Sequence, residues 1–448
     1  MEELSASIGS VVESASGFEE LEDGVFSVLC EFGRHETAAA IRERDDRLAT
    51  RVPSGWRLRD RRGRTILTRF GPVEIERRRY VDGSGVTRYP LDESLGLEKR
   101  VRVSPSLERL LVTLSAEVSF RTASTIVSTV VGTHVSHSVA HCRLGRSGDR
   151  LAQQGRSDAC DLLDLGLDPG GTVPATRLSV EADGTVIALQ NSDRRRGEVK
   201  LAVFYTDKGQ GTGAVHAGFQ AAGDFWREAV ARAGAHYDLS SVRACVVAGD
   251  GARWVRGGLD VLPHSRFQLD PFHVHRAILR ASGDHGFSAR VFCTIYEDGL
   301  HAADSMLSRF AARHPERAEE IECVRRHLAS NADGLWRSDP SLGTIEGHID
   351  KVLANRMKKR GRRWSVRGAD AMAHVLAAQR SRRPLPCGVW SPPIVKVDAA
   401  PPENARKRNR PTGSSQGHVR QAHIVSNRTG DSFTRTLRDI SGTRNADY

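Results

Sequence analysis

Three acidic residues have the type and local setting to hold a catalytic metal: Asp183 in VEADG, Asp250 in VVAGDG and Glu346 in GTIEGH. Magnesium takes oxygen ligands in near-octahedral geometry and is commonly held by a few carboxylates together with substrate phosphate oxygens. Each aspartate is followed by glycine, which permits a tight exit of the chain and a close approach by a substrate backbone. An Asp-Gly pair after a strand is also an ordinary turn, and an acid near a helix start also stabilises the helix N-terminus. Spacing by itself leaves both readings open. Downstream of Glu346 stand Arg356, Lys358, Lys359, Arg362 and Arg363, with Trp364 among them. The bases suit phosphate contacts or a solvated helix face, and the indole suits base stacking or core packing.

To meet, the acids need elements that bring them together. TRLSVEADGTVIALQ reads as two strands hinged at Asp183-Gly184 and GEVKLAVFYTD as a third, on the alternation of β-branched and polar residues. A helix in AGDFWREAVARAGAHY, a buried strand in SVRACVVAGDG, a helix near ARWVRGGL, a strand in SRFQLD and helical sequence from Pro271 follow. Neighbouring strands lie about 4.8 Å apart, so Asp183 and Asp250 at adjacent strand ends could share one ion. Three strands, helix, strand, helix, strand, helix is the order of a ribonuclease H-like α/β core. Residues 276–338 are helix-compatible and separate that core from a final helix near Gly343. Glu181 shares the face of Asp183 by period-two alternation, and Lys200 lies near the site by strand geometry; strand pairing or core solubility explains both equally well.

Residues 1–50 read as helical and 51–103 as a small β-rich unit with a basic edge at Arg77, Arg78 and Arg79. Residues 104–164 read as helical: a helix from about Arg121 to Val131, a break at Gly132 and a second helix from Ser136 make a helix-turn-helix candidate. In that role Arg121, Ser136 and His137 would face DNA; a plain helical hairpin fits the same pattern. The Gly/Pro-rich stretch near 165–174 reads as a linker into a domain at 175–382, and 383–448 as a basic flexible tail.

The chain has 448 residues, 39% of them hydrophobic, and 66 Lys plus Arg against 55 Asp plus Glu give a net charge of +11. A basic surplus favours a polyanionic partner, nucleic acid first. Seven scattered cysteines without a Cys-x-x-Cys pair indicate neither a disulfide scaffold nor a zinc ribbon. The acidic start lacks the order of a signal peptide, and no apolar run reaches the length of a membrane span. These features predict a cytoplasmic, nucleoid-associated protein.

The segments TRFGPVEIERRRY, LDESLGL with RVSP, SFRTASTIVSTVVGTHVSH, VEADG, GDGARWV, LDPFHVHRAI, TIEGHIDKVLANRM and WSVRGADAMA occur in that order. Over roughly residues 50–380 they make the chain resemble the ISLre-type insertion-sequence transposases, relatives of the Mutator-like group. The resemblance implies a ribonuclease H-like catalytic domain with a helical insertion between the second and third acids. It implies a DDE triad on Asp183, Asp250 and Glu346 holding two Mg²⁺ or Mn²⁺ ions. Asp270 and His273 of LDPFH fall on the Asp/Cys-x-x-His signature of the Mutator-like group and would buttress the site. Double-stranded DNA, as element ends and target, is the implied partner, engaged by a homo-oligomer. The alternatives are a ribonuclease H-like nuclease without strand transfer, or a DNA-binding relic that has lost catalysis.

Overall fold

The computed structural model describes residues 2–206, 213–337, 342–359 and 361–388. The basic tail expected at 383–448 lies outside the described residues beyond 388. The described chain forms two compact units, one of residues up to Ser147 with those from Leu385, the other Gly148–Pro384.

In the first unit, helices α1 (Glu2–Ser14) and α2 (Phe18–Ala49) precede a hairpin of β1 (Arg57–Thr68) and β2 (Gly71–Val81), with a short β3 (Thr87–Arg88). Alternation along β2 buries Val73 and Ile75 while Glu74 and Glu76 face out, and this buried row packs with Ile66, Leu91 and the Ala38, Ile41 and Leu48 stripe of α2. The expected basic edge is corrected here, because its charges are spent inside the unit. Arg78 pairs with Asp45 at 2.6 Å and Asp46 at 2.7 Å, Arg79 with Asp60 at 2.5 Å, and Arg77 with Asp92.

After a short helix at Pro90–Leu95 come three longer ones: α3 (Pro105–Glu117), α4 (Phe120–Val131) and α5 (His137–Leu163). Ser104 and Ser119 cap the first two, accepting from Leu107 N at 3.3 Å and Thr122 N at 3.1 Å. Gly132, at φ 64°, ends α4 in the left-handed region that glycine tolerates. Leu107, Leu111, Val127, Val131, Val135 and Ala140 form their core. The unit boundary at Ser147 falls within α5, not in the Gly/Pro-rich stretch near 165–174, because one uninterrupted helix carries the chain past it.

The second unit is built on a sheet of β4 (Arg177–Leu189), β5 (Arg196–Tyr205), β6 (Ala214–Gly218), β7 (Ala244–Gly249) and β8 (Ser265–Leu269), in the order β8-β7-β4-β5-β6. The first three in sequence pair antiparallel; β7 runs parallel to β4 and β8 parallel to β7. The expected hinge at Asp183-Gly184 is absent: β4 is one strand, because its ladder with β5 continues from Ser179↔Tyr205 to Ala188↔Arg196 with Gly184 opposite Lys200.

Helix α6 (Ala222–Gly234) joins β6 to β7, and α7 (Pro271–Ser282), α8 (His285–Glu297), α9 (Leu300–Arg313) and α10 (Ala318–Ser330) follow β8. Their apolar faces, through Ile278, Val291, Phe292, Leu307, Ile321 and Leu328, belong to the same core as Val180, Ala182 and Val247 of the sheet. A further helical stretch, α11, starts at Ile345–His348, widens to a π-helix over Ile349–Ala354 and ends at Asn355–Met357. Then β9 (Arg363–Trp364) pairs with the end of β4, and α12 (Val366–Arg380) closes the unit. Among the described residues no helix is long and apolar enough to cross a membrane, and all seven cysteines are free.

Candidate functional site

Glu181 pairs with Ala248 across the parallel β4-β7 ladder. Two residues further along each strand come Asp183 and Asp250, on the same face by alternation. Asp250 stands just beyond the end of β7, where its Oδ1 accepts from Ala252 N at 2.9 Å. The turn it opens uses Gly251 at φ 87°, and a Cβ there would meet Asn331 Oδ1 at 2.7 Å, so both conformation and space require glycine. Asn331 and Asp333 are in turn gripped by Arg256, at 3.0 and 2.8 Å from its Nη2.

One strand over, Asp270 follows β8 and caps α7, its Oδ1 accepting from Phe272 N at 3.0 Å ahead of Pro271 in the first turn. Its other oxygen takes His273 Nδ1 at 2.8 Å, which turns His273 Nε2 toward Asp183 Oδ2 at 4.0 Å. Arg276, one turn later on α7, reaches Glu346 Oε1 at 3.2 Å. Ligand atoms of Asp183, His273 and Glu346 lie within 4.8 Å of one another. Asp250 is outside that tightest group, yet its charge is felt at both Asp183 and His273.

The electrostatics follow from this crowding. Burial, reinforced by the charges of Asp250 and Glu346, pushes the Asp183 carboxyl up to about 6, against the opposing pull of His273 and a hydrogen bond from Gly184 N. Burial would lower His273, but the hydrogen bond and charge of Asp270, with Asp183 and Asp250, outweigh it and raise the imidazole above its ordinary value. A carboxyl held against ionisation by burial, and further by neighbouring carboxyls, is a group that a cation would relieve. Two carboxylates and one imidazole, those of Asp183, Glu346 and His273, are the groups close enough together to hold a cation, with the Asp250 charge acting on Asp183 and His273.

A second group, His216, Glu228 and His374, is buried. There His374 Nε2 is 3.3 Å from Glu228 Oε2, and although burial opposes it, this carboxylate and Asp370 raise the imidazole. The arrangement is that of a buried histidine-carboxylate contact.

The other residues singled out from the sequence fall in different places. Lys200 does not face Asp183. In the ladder it stands opposite Gly184, on the other face of β4 and β5, where Nζ donates to Gln220 O at 2.8 Å and lies 5.8 Å from the Trp254 ring. Trp364 is buried at 6% exposure, donating from Nε1 to Met357 O at 3.0 Å, and Arg356 is buried over its ring at 5.1 Å. Both side chains are inside the fold, where β9 draws the indole against the end of β4. Arg362 donates to the Asn355 carbonyl at 3.0 Å and Lys359 approaches Asp350 at 3.5 Å, so both brace the end of α11. Lys358 and Arg363 are exposed, as are Arg121 and His137 in the first unit; Ser136 is half-buried.

Sequence reasoning missed Arg276, His327 and Asn331. Arg276 had a signal, standing three residues after His273. His327 of α10 feels the charges of Asp250 and His273 while burial lowers it, and nothing in its local sequence marks it.

The profile of the family described as "Uncharacterised protein family (UPF0236)" matches residues 12–383. The chain belongs to that family. This UPF0236 member is 24% identical to the UPF0236 protein in the vanSb 3' region of Streptococcus gallolyticus, over 84% of this chain and 85% of that protein. It is 22% identical to a UPF0236 protein of Caldanaerobacter subterraneus subsp. tengcongensis, over 76% of this chain and 73% of that one, whose name joins eleven designations. A further UPF0236 protein of the same organism is 21% identical over 83% of this chain and 80% of its own length.

Proposed function

We propose that this UPF0236 member is a DDE transposase with a ribonuclease H-like core, cutting and joining DNA at Asp183, Asp250 and Glu346 with two Mg²⁺ or Mn²⁺ ions. The observation that carries the reading is that Glu346, remote in sequence, has a ligand atom within 4.8 Å of those of Asp183 and His273. Strand order supports it: three antiparallel strands with the first of them central and two parallel strands added beside it. The eleven designations joined in one relative's name suit a sequence carried in many copies, as a mobile element is.

Bound divalent ions would activate the attacking water or 3′-hydroxyl and stabilise the leaving oxygen of an in-line displacement. The chain's own residues prepare for this. Asp270 orients the His273 imidazole, which faces Asp183 and offsets the acidic cluster. Arg276 holds the Glu346 carboxylate and carries a charge that a scissile phosphate can recruit. Hydrolysis at the element ends followed by attack of the freed 3′-hydroxyl on target DNA needs no covalent protein intermediate. Paired ends call for at least a dimer on DNA.

Cleavage and strand transfer on a duplex carrying the ends of the DNA segment that encodes the chain test the reading in Mn²⁺ or Mg²⁺. Asp183→Asn, Asp250→Asn and Glu346→Gln should each lower cleavage by at least a hundredfold while duplex binding stays within about threefold. Cleavage retained by any of the three rejects the assignment; cleavage without joining identifies a nuclease instead.

A further inference from the structure

Glu181 is 1% exposed on the central strand of the second unit, an unusual place for a carboxylate. Both of its oxygens are used, and all but one of their partners belong to one place. Oε1 accepts from Gly343 N at 3.1 Å, Thr344 N at 3.1 Å and Thr344 Oγ1 at 3.0 Å; Oε2 accepts from Thr344 N and Ile345 N, each at 2.8 Å. The remaining partner is the Tyr205 hydroxyl, across the ladder on β5. These backbone donors open α11, where an unpartnered turn of N–H groups and the positive end of the helix dipole would otherwise be buried. Thr344, at the cap position, makes no side-chain cap of its own. The cap therefore comes from a strand 163 residues away in sequence.

The next residue after the last captured N–H is Glu346. On the other side of the link, Glu181 is two positions before Asp183 on the same face of the same strand, about 7 Å away at the rise of a strand. Glu181 thus ties the first and third acids of the site through one rigid strand and the first turn of one helix. The Glu346 side chain, by contrast, is 52% exposed, with Arg276 at 3.2 Å as its ion-pair partner. We propose that Glu181 is a positioning residue: it sets where α11 begins and so places the Glu346 carboxylate opposite Asp183, without itself touching metal or DNA. The proposal rests on the metal-dependent reading above.

Mn²⁺ titration by calorimetry and hydrogen exchange of the amides from Gly343 to Glu346, both on the full chain, test it together. Glu181→Asp keeps the charge but withdraws the carboxylate by one methylene. It should weaken Mn²⁺ binding about tenfold or more, in the range found when groups supporting a metal ligand are removed, and speed exchange at those amides. Glu346→Gln should weaken Mn²⁺ comparably with exchange unchanged. Binding weakened only in Glu181→Gln, with Glu181→Asp like the wild type in both readouts, would mean the residue acts by charge alone and overturns the proposal. If Glu181→Asp does not fold, Thr344→Val takes its place: removal of one of the hydroxyl donors should weaken Mn²⁺ two- to threefold, and no change in either readout overturns the proposal. Wild-type chain that binds no Mn²⁺ sinks the metal-dependent reading instead, while the exchange data still report whether Glu181 holds the helix.

Discussion

At the scale of single residues, the decisive asymmetry is between Asp183, with its side chain 14% exposed, and Glu346, at 52%. The buried acid bears the cost of crowding. Its carboxyl, raised from an ordinary 3.8 to about 6, keeps its proton in the folded state over a range where the unfolded chain has lost it. The resulting instability is absent below pH 3.8 and fully present above about pH 6. Asp183→Asn should therefore raise the melting temperature of the metal-free protein at pH 8 by a few degrees, at about 2–4 °C per kcal/mol, and leave it unchanged at pH 3.5. Calorimetry at the two pH values measures this; no gain at pH 8 means the carboxyl is not strained. The same proton competes with a cation, so Mn²⁺ affinity should fall as pH drops through about 6.

At the scale of elements, α7 shows how one cap serves two purposes. Asp270 satisfies the first turn through Phe272 N and fixes the His273 ring. Asparagine caps a helix as well as aspartate does, whereas alanine costs about 1 kcal/mol. Asp270→Asn should thus keep stability but lower the His273 pKa, followed by NMR titration, and Asp270→Ala should lower both. Equal loss of stability in the two variants would show that charge rather than capping holds the helix. This element was legible in advance, because Asp-Pro at a helix start and the acid-x-x-His spacing are local. So were the strands around VEADG and VVAGDG, whose alternation is strong. The uninterrupted course of β4 was not: Asp183-Gly184 looks like a hinge until β5 supplies hydrogen-bond partners on both sides of it. The fates of Lys200 and Trp364 were likewise hidden, since the face a side chain takes depends on ladder register, and burial of the indole depends on β9 finding the end of β4.

At the scale of the whole molecule, the apolar cores stay within their units: the first has one cluster around Leu107, Leu111 and Val127 and another under the hairpin at Ile66, Val73 and Ile75, and the second has one around the sheet and the inserted helices. Separate cores predict separate unfolding steps. Scanning calorimetry should resolve two transitions, and Mn²⁺ should raise only the one belonging to Gly148–Pro384, by mass action on the folded form. An equal shift of both would place cation binding elsewhere.

The anchoring of α11 by a strand made long before it has a consequence during synthesis. The ribosome delivers Asp183 and Asp250 first, and the helices of α7 to α10 must then emerge before Glu346 can dock, a delay on the order of ten seconds at ordinary elongation rates. Throughout that interval the nascent polypeptide carries two of the three acids and lacks the third. On the proposed reading, a product terminated ahead of Gly343 would keep Asp183 and Asp250 but lack Glu346, and should be inert in the cleavage assay.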